Sequence, residues 1–406
     1  MSDIMRPIPF RDLLDWVLTE YKKNRSIFGV RKVVQRDEEK RFPIFGQTIE
    51  TVYGPAAGPN TQLAQNLIAA YAGGSSWFEL KTVQKMDGRE LAKCVPKPCI
   101  EMRDEGYNCE WSTELTVEEA LHEYIKAWFI IHIIAKEFDL GDPDGIVFNM
   151  SVGYDLDGIR QPKVNHFIDT MIDASKDEVF KDCVETSLEA VRSKKLHHVT
   201  IRDIRRIPAK ISDSVTESTL HGCPPAEIEA IASYMLKTKK LNTFVKCNPT
   251  LLGYEYARRT LDGLGFDYIA FDDHHFTTDL QWKDAVPMLE RLQGEADELG
   301  LSFGVKLTNT FPVDVKAHEL PSEEMYMSGR ALFPLTIELV RRLSEQFNGK
   351  LRISYCGGAD YFNIHDLVSA GVWPVTVAST ILKPGGYERL SQFYEVLSDI
   401  PGKAFT

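Results

Sequence analysis

The sequence predicts an α/β barrel, the (β/α)₈ or TIM-barrel fold, with an N-terminal extension and an inserted segment. Short runs rich in β-branched and aromatic residues alternate with longer amphipathic runs along most of the chain, which is typical of a parallel sheet with crossover helices. The 406 residues suffice for one barrel, which needs about 250, together with additions. A doubly wound sheet is the alternative, but its G-x-G-x-x-G turn is absent, and Gly54–Gly58 has the wrong spacing for it.

The chain divides into three parts along its length. Residues 1–45 are polar and charged, with one helical stretch at 10–23, and form the predicted extension. Residues 46–395 carry the alternating pattern of the barrel, and 396–406 form a C-terminal tail. Within the barrel, several helices are predicted where prolines or acidic residues occupy a first turn of an amphipathic run. These helices include Thr116–Ala120, Pro224–Leu236, Trp282–Leu299 and Phe333–Phe347.

Nine short runs qualify as strands, which is one more than an eight-stranded barrel can use. One of them must therefore lie outside the barrel. For the same reason, two segments compete for the position after the sixth strand, Asp272–His275 and Thr308–Thr310. The nine runs are Thr48–Tyr53, Trp77–Val83, Ile146–Ser151, Val215–Leu220, Thr243–Cys247, Asp267–Phe271, Ser302–Leu307, Leu351–Tyr355 and Val375–Ala378.

Composition excludes several classes of protein. The formal net charge is −12 and no extended basic run occurs, so nucleic acid is not an expected partner. The longest apolar run, Ala127–Ala135, is too short to span a bilayer and is expected to be the buried face of a helix. The N-terminus has no signal-peptide core. We therefore expect a cytoplasmic protein that does not bind membranes.

The cysteines and histidines do not predict a metal site. Seven cysteines occur at irregular spacings and none forms a C-x-x-C pair, so a disulfide framework, a zinc ribbon and a ferredoxin-type cluster are all unsupported. The run Asp272–His275 contains metal-type ligands, but no other ligand cluster accompanies it. We expect no bound metal.

Polar segments follow most of the predicted strands, and in a barrel these strand-end loops build the site. The last two segments follow the expected seventh and eighth strands, where barrels bind phosphate through backbone N–H groups. The double glycine Gly357-Gly358 also suits a simple tight turn, so the phosphate interpretation depends on its pairing with Ala378–Thr380. The segments are Gly54–Pro59, Glu79–Thr82, Asn149–Gly153, Leu220–Pro224, Lys246–Pro249, Tyr355–Ala359 and Ala378–Thr380.

Several of these segments resemble the FMN-binding barrel of dihydroorotate and dihydropyrimidine dehydrogenases. The resemblance is most specific at Met327–Pro334, before a predicted helix, and at Ile353–Ala359, a strand that ends in a double glycine. A closer resemblance is to the N-terminal part of the bacterial selenate reductase-like family that is linked to purine catabolism. The strings shared with that family are Asp3–Phe10, Gly54–Pro59, Phe148–Tyr154, Gly304–Thr310 and Glu323–Pro334.

The resemblance implies FMN as the cofactor. A reduced flavin tends to be anionic at N1, so Lys81 and Lys246 would stabilise it if they face the ring, although a solvated side chain is the ordinary alternative for each lysine. The implied cofactor-binding residues are Ala56, Ala57, Gly58, Lys81, Thr82, Asn149, Lys246, Ser328, Gly329, Gly357, Gly358, Ala359, Ala378, Ser379 and Thr380.

The segment Gly222–Pro224 resembles the loop that holds the catalytic cysteine of the dihydropyrimidine enzymes, which makes Cys223 the predicted catalytic residue. Reduction of a C=C bond places a hydride on one carbon and a proton from a general acid on the other. Cys223 precedes a predicted helix, where the pKa of a thiol is expected to fall; a small buried hydrophobe is the structural alternative. Asn108 and Asn309 are predicted to bind substrate, because an amide presents a donor and an acceptor together, and Glu110 is included because it lies close to Asn108 in the sequence.

We therefore expect an FMN-dependent oxidoreductase that reduces or oxidises a C=C or C=N bond of a planar nitrogen heterocycle, either pyrimidine-like or oxidised purine-like. A selenate or other oxyanion reductase component is one alternative. A non-flavin aldolase with a Schiff-base lysine at Lys81, Lys246 or Lys306 is a second, and a structural subunit with a degenerate barrel is a third.

The resemblance also implies partners. Members of the closer family continue into a flavin/nicotinamide domain and iron–sulfur motifs, and neither pattern occurs in this sequence. Electrons are therefore expected from a partner subunit or domain that carries FAD, NAD(P)H or iron–sulfur clusters. A homo-oligomer is a further expectation of the resemblance.

Overall fold

The computed structural model describes residues 5–37, 39–109, 115–218 and 221–402. Within these ranges the strands are β1 (Phe42–Ile44), β2 (Gln47–Ile49), β3 (Tyr53–Pro55), β4 (Trp77–Glu79), β5 (Ile100–Met102), β6 (Glu105–Asn108), β7 (Val147–Gly153), β8 (Ser214–Ser218), β9 (Asn242–Cys247), β10 (Phe303–Leu307), β11 (Phe311–Asp314), β12 (Glu324–Gly329), β13 (Arg352–Tyr355) and β14 (Val375–Val377). The α-helices are α1 (Phe10–Asn24), α2 (Ala64–Ala72), α3 (Gly88–Cys94), α4 (Val117–Glu137), α5 (Leu156–Ile159), α6 (Pro162–Ile172), α7 (Glu178–Arg192), α8 (Ile201–Ile204), α9 (Pro225–Lys237), α10 (Tyr254–Gly263), α11 (His274–Thr278), α12 (Trp282–Leu299), α13 (Phe333–Gln346), α14 (Ile364–Ser369), α15 (Ser379–Leu382) and α16 (Glu388–Val396).

Eight of these strands form the barrel. They run in parallel in the order β3-β14-β13-β10-β9-β8-β7-β4, and β3 lies against β4 so that the sheet closes on itself. The closure depends on Gly54, because a Cβ atom at this position would stand 1.6 Å from the carbonyl oxygen of Trp77. The predicted eight-stranded parallel β/α barrel is therefore confirmed.

Two of the strand predictions were wrong in detail. The run Thr48–Tyr53 is divided between two elements: β2 pairs with β1 in a hairpin, and the first barrel strand begins only at Tyr53. The hairpin turn is formed by Phe45 and Gly46, whose φ angles are 52° and 75°, and positive φ at both central residues is the backbone that a two-residue hairpin favours.

The run Asp267–Phe271 is the surplus candidate, and it does not form a strand. Its carbonyl groups are bound elsewhere: the Arg258 guanidinium donates to the Ile269 carbonyl at 2.7 Å, and the Asp314 N–H donates to the Ala270 carbonyl. The ring of Phe271 packs on Phe311 with centroids 4.8 Å apart. The sixth barrel strand is instead β10, so Thr308–Thr310 follows it and Asp272–His275 does not.

A second sheet covers the carboxyl ends of the barrel strands. Its four antiparallel strands have the order β11-β12-β6-β5, and we call it the roof sheet. It is assembled from two insertions, one after β4 and one after β10, which meet where Tyr326 lies opposite Asn108 and Gly329 lies opposite Glu105. The sequence predicted one inserted segment, whereas the structure has two, and together they form the roof sheet.

The N-terminal extension packs closely on the barrel helices. The ring of Phe10 contacts Phe129 of α4, with centroids 6.1 Å apart. The buried Arg36 guanidinium donates to the carbonyls of Tyr71 at 2.7 Å and Ser75 at 2.9 Å and lies 3.6 Å from the Glu50 carboxylate. These contacts join residues before the barrel to α2 and to the loop that enters β4.

Helix α4 contains the apolar run that the sequence places in a buried face. Every residue from Ala127 to Ala135 is buried, because the helix packs between α2, α6 and α7. Among the residues that the structure describes, no helix has the length and apolar content needed to cross a membrane.

Candidate active site at the carboxyl ends of the barrel strands

A cleft of about 420 Å³ opens between the barrel strand ends and the roof sheet. Its wall is formed by loops after six of the eight barrel strands and by Lys246 of a seventh, together with β5, β6 and β12 of the roof sheet. Of the residues predicted to bind cofactor or substrate, those that line the cleft are Ala56, Ala57, Gly58, Lys81, Thr82, Asn108, Lys246, Asn309, Ser328, Gly329, Gly357, Gly358, Ala359, Ala378, Ser379 and Thr380.

Strand β13 is followed by Gly357 and Gly358, where the surroundings leave no room for a side chain. We call these two residues the cradle. A Cβ atom on Gly357 would stand 2.3 Å from the Thr336 hydroxyl oxygen, and one on Gly358 would stand 2.3 Å from the Gly329 carbonyl oxygen. Gly358 also has a φ of 74°, which favours glycine. Both glycines line the cleft, and a segment without side chains lets a phosphate group approach the backbone closely.

Two hydroxyl groups complete this end of the cleft. The hydroxyls of Ser328 and Ser379 lie 2.6 Å apart, and Ser328 also bonds the Gly106 carbonyl at 3.2 Å. Ser379 begins α15 directly after β14. Small hydroxyl donors beside the two glycines fit the phosphate interpretation that the sequence made for Gly357-Gly358 and Ala378–Thr380.

Two lysines line the cleft at other strand ends. Lys81 follows β4 and Lys246 lies near the end of β9. The third lysine considered from the sequence, Lys306, does not line the cleft; its ammonium group is fully buried between Glu79 and the Thr376 hydroxyl. Because a Schiff-base lysine must reach the substrate carbonyl, Lys306 is a poor candidate for that role.

The predicted amide groups are in different environments. Asn309 lines the cleft, and its Nδ2 donates to Asn248 at 2.6 Å. Asn108 also lines it. Asn149 is buried below the cleft, where its Nδ2 donates to Thr216 at 2.8 Å and its Oδ1 has no partner among the residues described; its role in cofactor binding stays a prediction. Glu110 lies outside the described residues.

Cys223 is not part of the cleft wall, and its environment differs from the predicted one. The pKa of its thiol is raised to about 12, first by burial and then by the carboxylates of Glu217, Glu227 and Asp155. The expected lowering by a helix N-terminus is therefore wrong, because desolvation and these acidic neighbours dominate. Glu217 itself is buried, and burial raises the pKa of its carboxyl well above the ordinary value.

A histidine next to this cysteine does line the cleft, and the sequence did not single it out. His221 Nδ1 lies 2.7 Å from the Asp279 carboxylate, and the ring of His221 lies beside the ring of Tyr326, with centroids 5.5 Å apart. Its position in the strand-end segment Leu220–Pro224 could have identified His221 as a site residue from the sequence. Asp279 offered none, because it lies in the loop between α11 and α12.

A second histidine completes this cluster. His275 Nε2 lies 2.7 Å from the Glu324 carboxylate, and its ring contacts that of His221 edge to face. His221, His275 and Asp279 each have a potential ligand atom within 4.8 Å of those of the other two. The sequence offered the run Asp272–His275 as possible metal ligands. Only His275 of that run belongs to this group.

The barrel and its roof sheet define the class of fold, an eight-stranded parallel β/α barrel like that of DHODH. A ligand-free DHODH from Eimeria tenella superposes with a TM-score of 0.50 at 17% identity, covering 95% of this chain and 94% of that one. More particularly, the chain belongs to the family of the N-terminal TIM-barrel domain of oxidoreductase YgfK, whose family model matches residues 28–406. The resemblance drawn from the sequence is thus confirmed.

Two curated relatives carry the same name. They are "Putative oxidoreductase YgfK" from Escherichia coli strain K12 and from Escherichia coli O157:H7, each 49% identical over 403 residues and matched along 96% of this chain. The match covers 39% of the length of each relative. The chain therefore corresponds to one part of a longer protein in these relatives.

Proposed function

We propose that this chain is the FMN-binding barrel of an oxidoreductase that acts on a planar, unsaturated nitrogen heterocycle. The observation that carries the proposal is the cleft itself: a side-chain-free cradle lies at one end and two strand-end lysines line the same wall. Bound FMN would supply two-electron transfer between an electron donor and the substrate. The DHODH-like fold supports this cofactor.

The residues present fit the two ends of FMN. The cradle of Gly357 and Gly358, with the hydroxyls of Ser328 and Ser379, offers neutral donors for a phosphate group. Lys81 and Lys246 place positive charge on the cleft wall, where it would stabilise an anionic reduced ring. The carbonyl-rich edge of a flavin or a heterocycle can be bound by the amides of Asn108 and Asn309.

Flavin content is the first test. Purified protein, as isolated or after incubation with FMN, is expected to show a flavin absorption spectrum at one FMN per chain. Lys81→Met and Lys246→Met should lower the reduction potential of the bound flavin, because a cation beside the reduced ring is lost. The matched control is Lys176→Met, which removes an exposed lysine. A colourless protein that borohydride inactivates in the presence of an aldehyde or ketone would support a Schiff-base enzyme instead.

The substrate class is tested by reoxidation. The flavin is reduced anaerobically and mixed separately with uracil, orotate, xanthine, urate and selenate. Rapid reoxidation by one of the heterocycles supports the proposal, and the reactive compound identifies the class. Reoxidation by selenate alone would favour the oxyanion reductase alternative, and a flavin that none of the five reoxidises would count against a reductase of this kind.

The electron donor is part of the proposal. The chain covers 39% of the length of its curated relatives, and we propose that another domain or subunit with FAD, NAD(P)H or iron–sulfur clusters reduces the flavin. Isolated barrel protein should then reduce slowly with NADH or NADPH alone. Fast reduction by either nucleotide without any partner would contradict a separate donor.

A further inference from the structure

The loop after β8 presents two groups that could move a proton, Cys223 and His221, and they differ in where they lie. The groups that raise the pKa of the cysteine thiol, Glu217, Glu227 and Asp155, belong to β8, α9 and the segment before α5, and none of these side chains lines the cleft. His221 does line the cleft. The histidine therefore has the better access to a bound substrate.

The His221 ring is held by a carboxylate whose acceptor positions are filled. Asp279 Oδ2 accepts from His221 Nδ1 at 2.7 Å, from the Thr250 hydroxyl at 2.7 Å and from Asn248 Nδ2 at 3.0 Å. Its Oδ1 accepts from the Gly222 N–H at 2.7 Å. Burial alone would raise the pKa of Asp279, but these hydrogen bonds and the charge of His221 lower it. The carboxylate stays ionised and fixes Nδ1 as the protonated nitrogen.

The other ring nitrogen of His221 is left unused. Nε2 is buried and has no hydrogen-bond partner among the residues that the structure describes, while the side chain as a whole is 9% exposed. A buried polar atom without a partner costs stability, and such atoms are concentrated at sites that await a ligand. Since Nδ1 is fixed on Asp279, Nε2 is the atom available to a substrate.

The hydrogen bonds on Asp279 favour a proton-transfer group over a metal site. In a metal site the ion would have to share Asp279 with four protein donors. His275 binds Glu324 through Nε2, but its Nδ1 is buried and has no hydrogen-bond partner among the residues described, so a metal ion held by His221, His275 and Asp279 is the competing interpretation, and the zinc content of the purified protein distinguishes the two. The titratable groups that face His221 are thus Asp279, His275 and, beyond it, Glu324, with the Tyr326 ring alongside.

We propose that His221, oriented by Asp279, is the proton donor of the reaction assigned above; this inference rests on the proposed function. In the reducing direction the Nε2–H bond of the imidazolium breaks and a C–H bond forms at one atom of the substrate double bond, using the π electron pair. Bound reduced flavin would supply hydride to the other atom, and with it the two electrons that the reduction needs. His221, now neutral, is reprotonated by water. In the oxidising direction Nε2 accepts the proton.

The reaction test measures reoxidation of reduced, FMN-loaded protein by whichever compound of the five reacts. His221→Gln should slow this step by at least about 100-fold, the scale of general acid catalysis, with photoreduction of the flavin unaffected. The matched control is His365→Gln, which removes the histidine of an exposed pair with Asp399 at 3.2 Å and should keep the wild-type rate. The proposal is overturned if His221→Gln keeps that rate, or if Cys223→Ala loses the rate while His221→Gln does not.

A second measurement needs neither flavin nor substrate. In flavin-free protein with ¹⁵N-labelled histidine rings, the neutral form of His221 should be the Nδ1–H tautomer by long-range ¹H–¹⁵N correlation, with the signal assigned by its loss in His221→Gln. Asp279→Asn should shift this signal toward a mixture of tautomers, because the fixed acceptor is lost. An Nε2–H tautomer in the wild-type protein would overturn the proposed pairing of His221 with Asp279. Stoichiometric zinc in the purified wild-type protein that is absent from His221→Gln would overturn it as well.

The two failures can be told apart. Protein that binds no FMN, or whose flavin no compound reoxidises, refutes the proposed function and the proton-transfer role with it, even when the tautomer signature is present. Protein that binds and turns over flavin but keeps its rate in His221→Gln refutes the histidine alone and leaves the oxidoreductase assignment standing.

Discussion

The two ends of the cleft are built in different ways. The glycine end, formed by Gly329, Gly357 and Gly358, is made of backbone segments so close together that a side chain at Gly357 or Gly358 would collide with its neighbour. The histidine end is formed by His221 and Asp279. The Asp279 carboxylate accepts hydrogen bonds from His221, from the Gly222 N–H and from Thr250, which lie in separate loops. One end offers backbone that a ligand can approach closely, and the other offers an oriented ring nitrogen.

This difference has a consequence for mutation. At the glycine end any added atom displaces the backbone, so binding of the cofactor should suffer while the chemistry of a loaded protein does not. At the histidine end a lost hydrogen bond leaves the fold in place but misorients one ring, so the rate should fall at unchanged flavin affinity. The predictions below test this division.

The largest expected effect concerns the cysteine beside the histidine end. With its pKa raised to about 12, Cys223 should carry roughly a thousandfold less thiolate at pH 8 than an ordinary thiol of pKa near 8.5. Iodoacetamide should therefore modify it far more slowly than the exposed Cys94, as measured by peptide mass spectrometry over time. Equal rates at the two cysteines would place Cys223 in an open, reactive site.

The next effect is at the glycine end. Gly358→Ala should weaken FMN binding by about 100-fold or more, because its Cβ would stand 2.3 Å from the Gly329 carbonyl oxygen. Gly371→Ala is the matched control: its φ of 82° carries a similar backbone strain, but nothing lies within 4 Å of its added Cβ. Fluorescence titration with FMN measures both, and equal affinities would show that the cradle does not bind the cofactor.

A smaller effect is expected from Thr250→Val, which removes one donor to Asp279. We expect reoxidation of the flavin to slow by about three- to tenfold, the equivalent of about one hydrogen bond, with FMN affinity unchanged. Ser187→Ala removes a comparable buried hydrogen bond, to the Cys183 carbonyl at 2.6 Å, and should change neither quantity. A loss of FMN affinity in Thr250→Val would mean that the two ends of the cleft are not separable.

The smallest effect is on stability as a function of pH. The pKa of Asp279 is lowered from 3.8, so the folded state binds the proton less tightly than the unfolded state. Its contribution to stability is therefore fully present above about pH 4 and is lost as the pH falls through the folded-state pKa. The difference in melting temperature between wild type and Asp279→Asn should shrink as the pH falls from about 5 to below 4. A difference that does not shrink over this range would contradict the lowered pKa.

The sequence was a better guide to the fold than to the histidine end of the cleft. The alternation of strands and helices was sufficient to predict the barrel. The errors arose where tertiary contacts override the local sequence pattern. Asp267–Phe271 has a strand-like composition, but its carbonyls are bound by Arg258 and by Asp314. Glycines and lysines at strand ends could be found because barrel topology makes those positions converge. Asp279 could not, since it follows no strand and reaches His221 across 58 residues of chain.

The pairing within the roof sheet affects when the cleft can form during synthesis of the chain. Its central pairing joins residues 105–108 to 326–329, so a ribosome must synthesise more than two hundred residues between one half of the roof and the other. A nascent chain that has completed only the first barrel strands already carries Lys81 but has nothing to close over it. Binding of the proposed FMN would therefore belong to the last stage of biogenesis, and we expect a fragment truncated before residue 324 to lack the cleft.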